Sequence, residues 1–171
     1  MPHQIILTGP ESTGKTTLCK SLSEHYNCAW VPEYARQYLS ERQGMYGYAD
    51  LLKMSQGQLE VKQGFKTYAK EFLIMDTGLE VYYIWSIHKF GKVDPDIEKG
   101  LQAQRDNLHL LCRPDIKWVP DPLRESEYER DILFCKYEEL LKKYDLPYGI
   151  VEGEGPQRIQ AAIELIDAFT G

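Results

Sequence analysis

Cysteine is scarce in this 171-residue chain: Cys19, Cys28, Cys112 and Cys135 are its only four. They make no CxxC pair and no Cys/His array of ligand spacing, so neither a zinc site nor a disulfide framework is expected. The histidines, His3, His25, His88 and His109, likewise form no metal or nucleophile constellation. Basic charge is in short supply as well. Twenty Lys and Arg stand against 26 Asp and Glu, a formal net charge of −6. That balance leaves no basic face for a general phosphate-backbone binder, and no nucleic-acid partner is expected. Long apolar runs are missing. The longest, Val81 to Ile87, is too short to cross a bilayer, and the opening MPHQIILTG lacks the features of a secretory leader. The expectation is a soluble, cytoplasmic chain with reduced cysteines and no membrane partner. No repeat, low-complexity tract or linker divides it, so residues 1–171 read as a single domain.

What the sequence does contain is alternation. Apolar runs at Gln4 to Thr8, Cys28 to Val31, Phe72 to Met75, Leu108 to Cys112 and Tyr148 to Val151 read as strands separated by helical patterns. The fold class is α/β with a mainly parallel sheet, whose functional loops gather at the carboxyl ends of the strands. Leu133, Tyr137, Leu140, Leu141 and Tyr144 recur on one helical face, and Ile159, Ile163, Ile166 and Phe169 on another. From Leu51 to Phe72 an apolar seam steps by three and four, interrupted at Gln58. That amide is either a satisfied buried polar group or a group facing a ligand. Gly57 and Gly64 weaken the same helix, and Gly44 to Tyr48 is a helix break.

The strongest chemical signal is Gly9-Pro10-Glu11-Ser12-Thr13-Gly14-Lys15-Thr16, a GxxxxGK(S/T) run directly after an apolar strand and before a helix. Glycines let the backbone curl, successive N–H groups surround phosphate oxygens, and the following helix adds its positive end. Gly9, Glu11, Ser12, Thr13, Gly14, Lys15, Thr16 and Thr17 are therefore candidate nucleotide contacts, with Lys15 reaching the β- and γ-phosphates and Thr16 a ligand of Mg²⁺. Thr17 fits a phosphate contact or a helix cap equally well. Leu73-Ile74-Met75-Asp76 places a carboxylate at the end of an apolar strand, as a Walker B acid would be, and Asp76 either serves Mg²⁺ or orients a substrate hydroxyl.

The run GPESTGKTTLCKSL, followed by WVPEYARQYL, MDT and WVPDPLR, resembles the ribosylnicotinamide kinase domain of the NadR family over nearly the whole chain. The resemblance implies a P-loop kinase fold with five strands in the order 2-3-1-4-5. It also implies ATP and Mg²⁺ as cofactors and a small-molecule acceptor, nicotinamide riboside. Where that family commonly has Asp-Thr-Asp, this chain has Asp76-Thr77-Gly78, so one acidic group is missing. The later segment also carries prolines where the family pattern reads WVADGLR. With the resemblance in hand, Glu33 is assigned to acceptor-hydroxyl recognition or general-base assistance, and Arg36 to phosphate or acceptor binding.

Tyr82, Tyr83 and Trp85 are candidates for stacking on a flat ring or for core packing, with Trp85 chosen as the stacking residue. Arg124 and Arg130 flank a charged, proline-containing stretch read as a lid over about 118–130, in which Arg124 would meet the transferring phosphate and Arg130 the nucleotide. Arg158, after the last strand, either shapes an adenine pocket or belongs to an ordinary turn and helix start. The functional expectation is a phosphotransferase using ATP; no NKxD-type guanine signal is present. Its alternatives are a kinase for another nucleoside or hydroxyl compound, and a non-catalytic NTP-binding switch.

Overall fold

Strands that are buried on both faces need helices above and below them, and here every strand-to-strand connection supplies at least one. The computed structural model describes residues 1–171. Strands β1 (His3–Thr8), β2 (Trp30–Val31), β3 (Phe72–Asp76), β4 (Leu108–Cys112) and β5 (Tyr148–Val151) form one sheet in the order β2-β3-β1-β4-β5. All neighbouring pairs are parallel. This is the 2-3-1-4-5 arrangement of the P-loop kinase fold. Leu7 pairs with Asp76 on one side and with Leu110 on the other, so the loops after β1, β3 and β4 leave the sheet together.

The helices are α1 (Lys15–His25), α2 (Tyr34–Ser40), α3 (Tyr48–Lys66), α4 (Leu79–Phe90), α5 (Pro95–Gln102), α6 (Arg130–Lys143) and α7 (Gly155–Thr170). Strand pleating divides the core by parity. Ile5, Leu7, Ile74, Leu108 and Leu110 point toward Leu18 and Leu22 of α1 and Ala162 and Ile166 of α7. Ile6, Leu73 and Met75 point the other way, where Val61 and Phe65 of α3 cover them. Beside them a larger apolar cluster joins α3, α4, α5 and α6 through Met54, Tyr82, Leu101 and Tyr137.

Two expected elements change their bounds, and one expected packing residue faces out. Strand β2 starts at Trp30 rather than Cys28, because Cys28 is tied to the end of α1: its N–H donates to the Ser23 carbonyl (3.0 Å) and its carbonyl accepts from Ser23 Oγ (2.6 Å). The seam beginning at Leu51 overran its helix. Helix α3 begins at Tyr48, where Asp50 Oδ2 accepts the Gly47 N–H (2.8 Å), and ends at Lys66; Tyr68 is exposed and Phe72 belongs to β3. Phe169 is exposed at the end of α7, although Ile166 on the same stripe is buried. No helix is long and apolar enough to cross a membrane.

Candidate active site

A cleft opens at the carboxyl ends of β1, β2 and β3, and its two ends are built differently. At one end lies the loop after β1. Gly9 has φ +122°, and a β-carbon there would fall 2.8 Å from the Cys112 carbonyl, so only glycine lets the chain turn against β4. Helix α1 starts at Lys15 with Gly14 at its N-cap and no side-chain cap, leaving its first-turn N–H groups free to meet an anion. Lys15 Nζ spans the loop, donating to the carbonyls of Gly9 (2.9 Å) and Pro10 (2.6 Å). Thr17 lines the cleft inside the first helical turn and makes no capping bond.

Thr16 Oγ1 donates to Asp76 Oδ2 at 2.5 Å, joining the helix start to the end of β3. Asp76 is almost fully buried, and burial pushes its pKa above the usual value while Thr16 and Lys15 oppose the shift. The next residue, Thr77, has φ +92°, a strained conformation for a β-branched residue, and its N–H donates to the Leu7 carbonyl (3.1 Å). The turn thereby keeps Asp76 in register beside β1. Two hard oxygens meeting at the phosphate loop fit Mg²⁺, which is usually held by one or two protein oxygens together with phosphates. No group of three or more His, Cys, Asp and Glu side chains forms a separate metal cage.

Glu33 faces this pair from the N-cap of α2. The residue is partly exposed and lines the cleft. Desolvation first, and Asp76 second, raise its pKa to about 7, against the lowering influence of Lys15 and Arg36. A carboxylate titrating near neutrality is suited to exchange a proton with a hydroxyl. Beyond it the cleft is largely apolar and aromatic, lined by Leu39, Tyr46, Met54, Tyr82, Trp85 and Tyr137. Trp85 therefore reaches the cleft, as does Tyr82. Tyr83 instead packs on Tyr144, with ring centroids 5.9 Å apart.

The segment between β4 and α6 crosses the cleft. Pro122, Leu123, Arg124 and Glu125 line it, and Arg124 Nη1 meets the Val119 carbonyl and Ser12 Oγ. Arg36 Nη1 pairs with Asp121 Oδ2 (2.9 Å), tying α2 to the same segment. Glu125 accepts from Tyr46 OH (2.7 Å) and pairs with Lys89 Nζ (2.5 Å). Sequence reading singled out neither Tyr46 nor Asp121. Tyr46 sits in what read as a mere helix break, and Asp121 in the charged stretch read as a lid, where only the arginines have assigned roles.

Several expected contacts are turned elsewhere. Glu11 lines the cleft, yet its Oε2 accepts from the Glu125 and Ser126 N–H groups (3.1 Å each) and from Ser126 Oγ (2.5 Å). Its carboxylate holds the crossing segment, and its negative charge is unsuited to phosphate. Ser12 Oγ accepts the Val119 N–H (2.9 Å), and Thr13 Oγ1 donates to the Pro10 carbonyl (2.9 Å), so both hydroxyls are engaged within the protein. Arg130 donates to the carbonyls of Ser12 (2.9 Å) and Ile116 (3.1 Å) behind the loop. Arg158 is buried and outside the cleft. It donates to Thr13 O, Arg113 O and Gly153 O and pairs with Asp115, because a buried guanidinium must find acceptors and three loops offer theirs. Gln58 is also outside the cleft, its amide bonded to Pro32, Tyr34 and Tyr82. Gly78, the missing acid, donates its N–H to Glu80 Oε1 (3.1 Å), but Glu80 is fully buried against Gln104 and supplies no carboxylate to the cleft.

A family model described as an AAA domain matches residues 4–158. The trifunctional NAD biosynthesis/regulator protein NadR of Salmonella typhimurium is 24% identical over 174 residues, covering 98% of this chain and 42% of that protein. The chain thus spans about two fifths of the length of this curated relative. A crystal structure of NadR in complex with NR is similar with a TM-score of 0.83 at 22% identity, over 99% of this chain and 51% of that one. NadR in complex with NAD and AMP-PNP gives 0.81 at 22% identity, over 99% and 50% of the two chains. Deoxyadenosine kinase from M. mycoides with bound dATP gives 0.58 at 16% identity, over 96% of this chain and 99% of that one. The fold is the kinase-like P-loop fold that these proteins share.

Proposed function

The chain belongs to the AAA domain family, matched over residues 4–158, and from that premise we propose that it is an ATP- and Mg²⁺-dependent kinase that phosphorylates a hydroxyl of nicotinamide riboside. One observation carries the reading: the phosphate loop, the Thr16–Asp76 pair and Glu33 open into a single cleft whose far end is aromatic. A nucleotide-binding switch needs the first of these but has no use for a carboxylate set between the phosphate site and an aromatic pocket. The likeness to NadR over 98% of the chain, and the NR in one solved NadR complex, support the choice of acceptor.

In this reading the loop N–H groups, the α1 terminus and Lys15 bind the triphosphate. Thr16 and Asp76 would hold Mg²⁺, which when bound neutralises charge on the phosphate oxygens. Glu33 takes the proton of the acceptor hydroxyl as the new O–P bond forms and the bond from the γ-phosphorus to the bridging oxygen breaks, releasing ADP. Arg36 and Arg124 orient acceptor and phosphoryl group and offset negative charge spread over the equatorial oxygens. Residues 118–130 act as a lid that excludes water. Trp85 and Tyr82 set the plane of the acceptor's ring.

Mass spectrometry after incubation with ATP, Mg²⁺ and nicotinamide riboside tests this. A product heavier by one phosphoryl group is expected from the wild type, and from Lys15→Ala only at a rate about 10³-fold lower. Phosphorylation of other nucleosides but not of nicotinamide riboside would overturn the acceptor, and no phosphorylated product from any nucleoside would overturn the kinase.

A further inference from the structure

We infer that Gln58 is a positioning residue for Glu33: from outside the cleft, its side-chain amide clamps the two peptide groups on either side of Glu33 and fixes where the carboxylate stands. The inference rests on Glu33 being the proton acceptor proposed above. Gln58 Oε1 accepts the Tyr34 N–H (2.8 Å) and Tyr82 OH (3.4 Å), while Nε2 donates to the Pro32 carbonyl (3.2 Å). Pro32 and Tyr34 are the immediate neighbours of Glu33. The amide is thus bidentate on the backbone that carries the catalytic carboxylate.

That backbone needs an external tie. Strand β2 before it has two residues and helix α2 after it has seven, too few for either to hold its own geometry. Helix α3, with 19 residues, is the longest element, and Gln58 lies at its middle with 2% of its surface exposed. Tyr34 also rests against α3. A β-carbon on Gly57 would lie 2.1 Å from its ring, so the same two consecutive residues receive the Tyr34 ring and the Tyr34 N–H. A polar residue in an otherwise apolar seam costs desolvation unless its groups are used, and here the oxygen and the nitrogen both bond to the Glu33 turn, the oxygen also to Tyr82 of α4. Tyr82 lines the cleft, so the amide couples the proton acceptor to the aromatic wall.

The test is Gln58→Met, which keeps the length and apolar fit of the seam but removes both bonds to the turn. Displacement of a reacting group by about 1 Å costs roughly 10²-fold in rate. The expected result, with ATP and nicotinamide riboside, is a kcat lowered about 10- to 100-fold while KM for ATP changes less than about twofold. The acid limb of the pH profile should also move, because Glu33 would change its distance from Asp76 of β3, Lys15 of α1, Glu11 of the phosphate loop and Arg36 on its own helix. Turnover within about twofold of wild type with an unmoved acid limb overturns the clamp. Glu33→Gln run in parallel separates the two claims: if that variant turns over normally, it is the role of Glu33 that fails. A further measurement needs neither activity nor a folded variant. In the wild-type protein the Tyr34 amide, at a first-turn position that ordinarily lacks a partner, should exchange with solvent at least about tenfold more slowly than the Arg36 amide in the same turn. Equal or faster exchange at Tyr34 overturns the clamp.

Discussion

The two ends of the cleft are made of different material. The phosphate end is a contiguous stretch, residues 9–17, that presents backbone N–H groups and one lysine, braced from behind by Arg130 and Arg158. The far end, where the proposed acceptor would lie, is assembled from side chains of separate elements: Glu33 and Arg36 at the start of α2, Met54 of α3, Tyr82 and Trp85 of α4, Tyr137 of α6 and the crossing segment. Backbone groups recognise any polyphosphate alike, whereas side chains can be exchanged without moving the chain. If the proposed function holds, affinity for nucleotide and choice of acceptor are separable in this molecule, and they meet where Glu33 and Asp76 line the same cleft.

The sharpest way to break that comparison is at Lys15. Lys15→Ala should lower turnover by about 10³-fold, as loss of a charge-stabilising donor does, and by the same factor for every acceptor tried; a loss that varies with the acceptor would show that the two ends are not separable. Glu33→Gln follows, with an expected loss of about 10²-fold in kcat and little change in nucleotide binding by calorimetry. Its pH signature has a defined sign. Glu33 has its pKa raised from 4.5 to about 7, so in the wild type kcat/KM should fall as pH drops below about 7, where the carboxylate becomes protonated. A raised carboxylate favours the folded state at low pH and loses that contribution as pH rises from about 4.5 through about 7. Glu33→Gln should accordingly be more stable than wild type at pH 8, by on the order of 2 kcal/mol, and nearly equal at pH 4 in denaturant titrations.

Arg158→Met tests the brace rather than the cleft. It strands the carbonyls of Thr13 and Arg113 and leaves the Asp115 carboxylate only the Gly153 N–H, and should cost about 3 kcal/mol, or roughly 6–12 °C in Tm. Once the variant is folded, acceptor KM should be unchanged; a selective effect on acceptor would contradict its place outside the site. The smallest effect belongs to Asp121→Ala. The Arg36–Asp121 pair is solvent-accessible, so stability should shift by less than about 1 kcal/mol in denaturant titrations. Acceptor KM should rise a few-fold because Arg36 loses its tether, with ATP KM unchanged.

Legibility in the sequence followed the range of the interactions. Four of the five strands could be read within a residue at each end, since a strand buried on both faces is a continuous apolar run whatever surrounds it. The second was read too long because Cys28, though apolar, spends its backbone on Ser23. The α3 seam was read too far because Phe72 falls in step with a helix that has already ended. Lys15, Thr16 and Asp76, named from motif and strand context, come together in one cleft. The arginines were not separable by type: Arg36 and Arg124 reach the cleft, while Arg130 and Arg158 serve carbonyls behind the loop. Nothing local distinguishes a guanidinium that will face a ligand from one that will hold three loops together.

From residue order alone came the existence of a phosphate loop, the class of fold and the position of the acid on β3, because each is decided by hydrogen bonding and apolar periodicity within about ten residues. Only the tertiary structure decided that Glu33 stands beside Asp76 with its pKa raised, that Glu11 holds the crossing segment instead of a phosphate, and that Gln58 reaches the backbone of the Glu33 turn. Those outcomes depend on desolvation and on partners brought from distant parts of the chain, and a side chain's chemistry carries no record of which neighbours folding will give it.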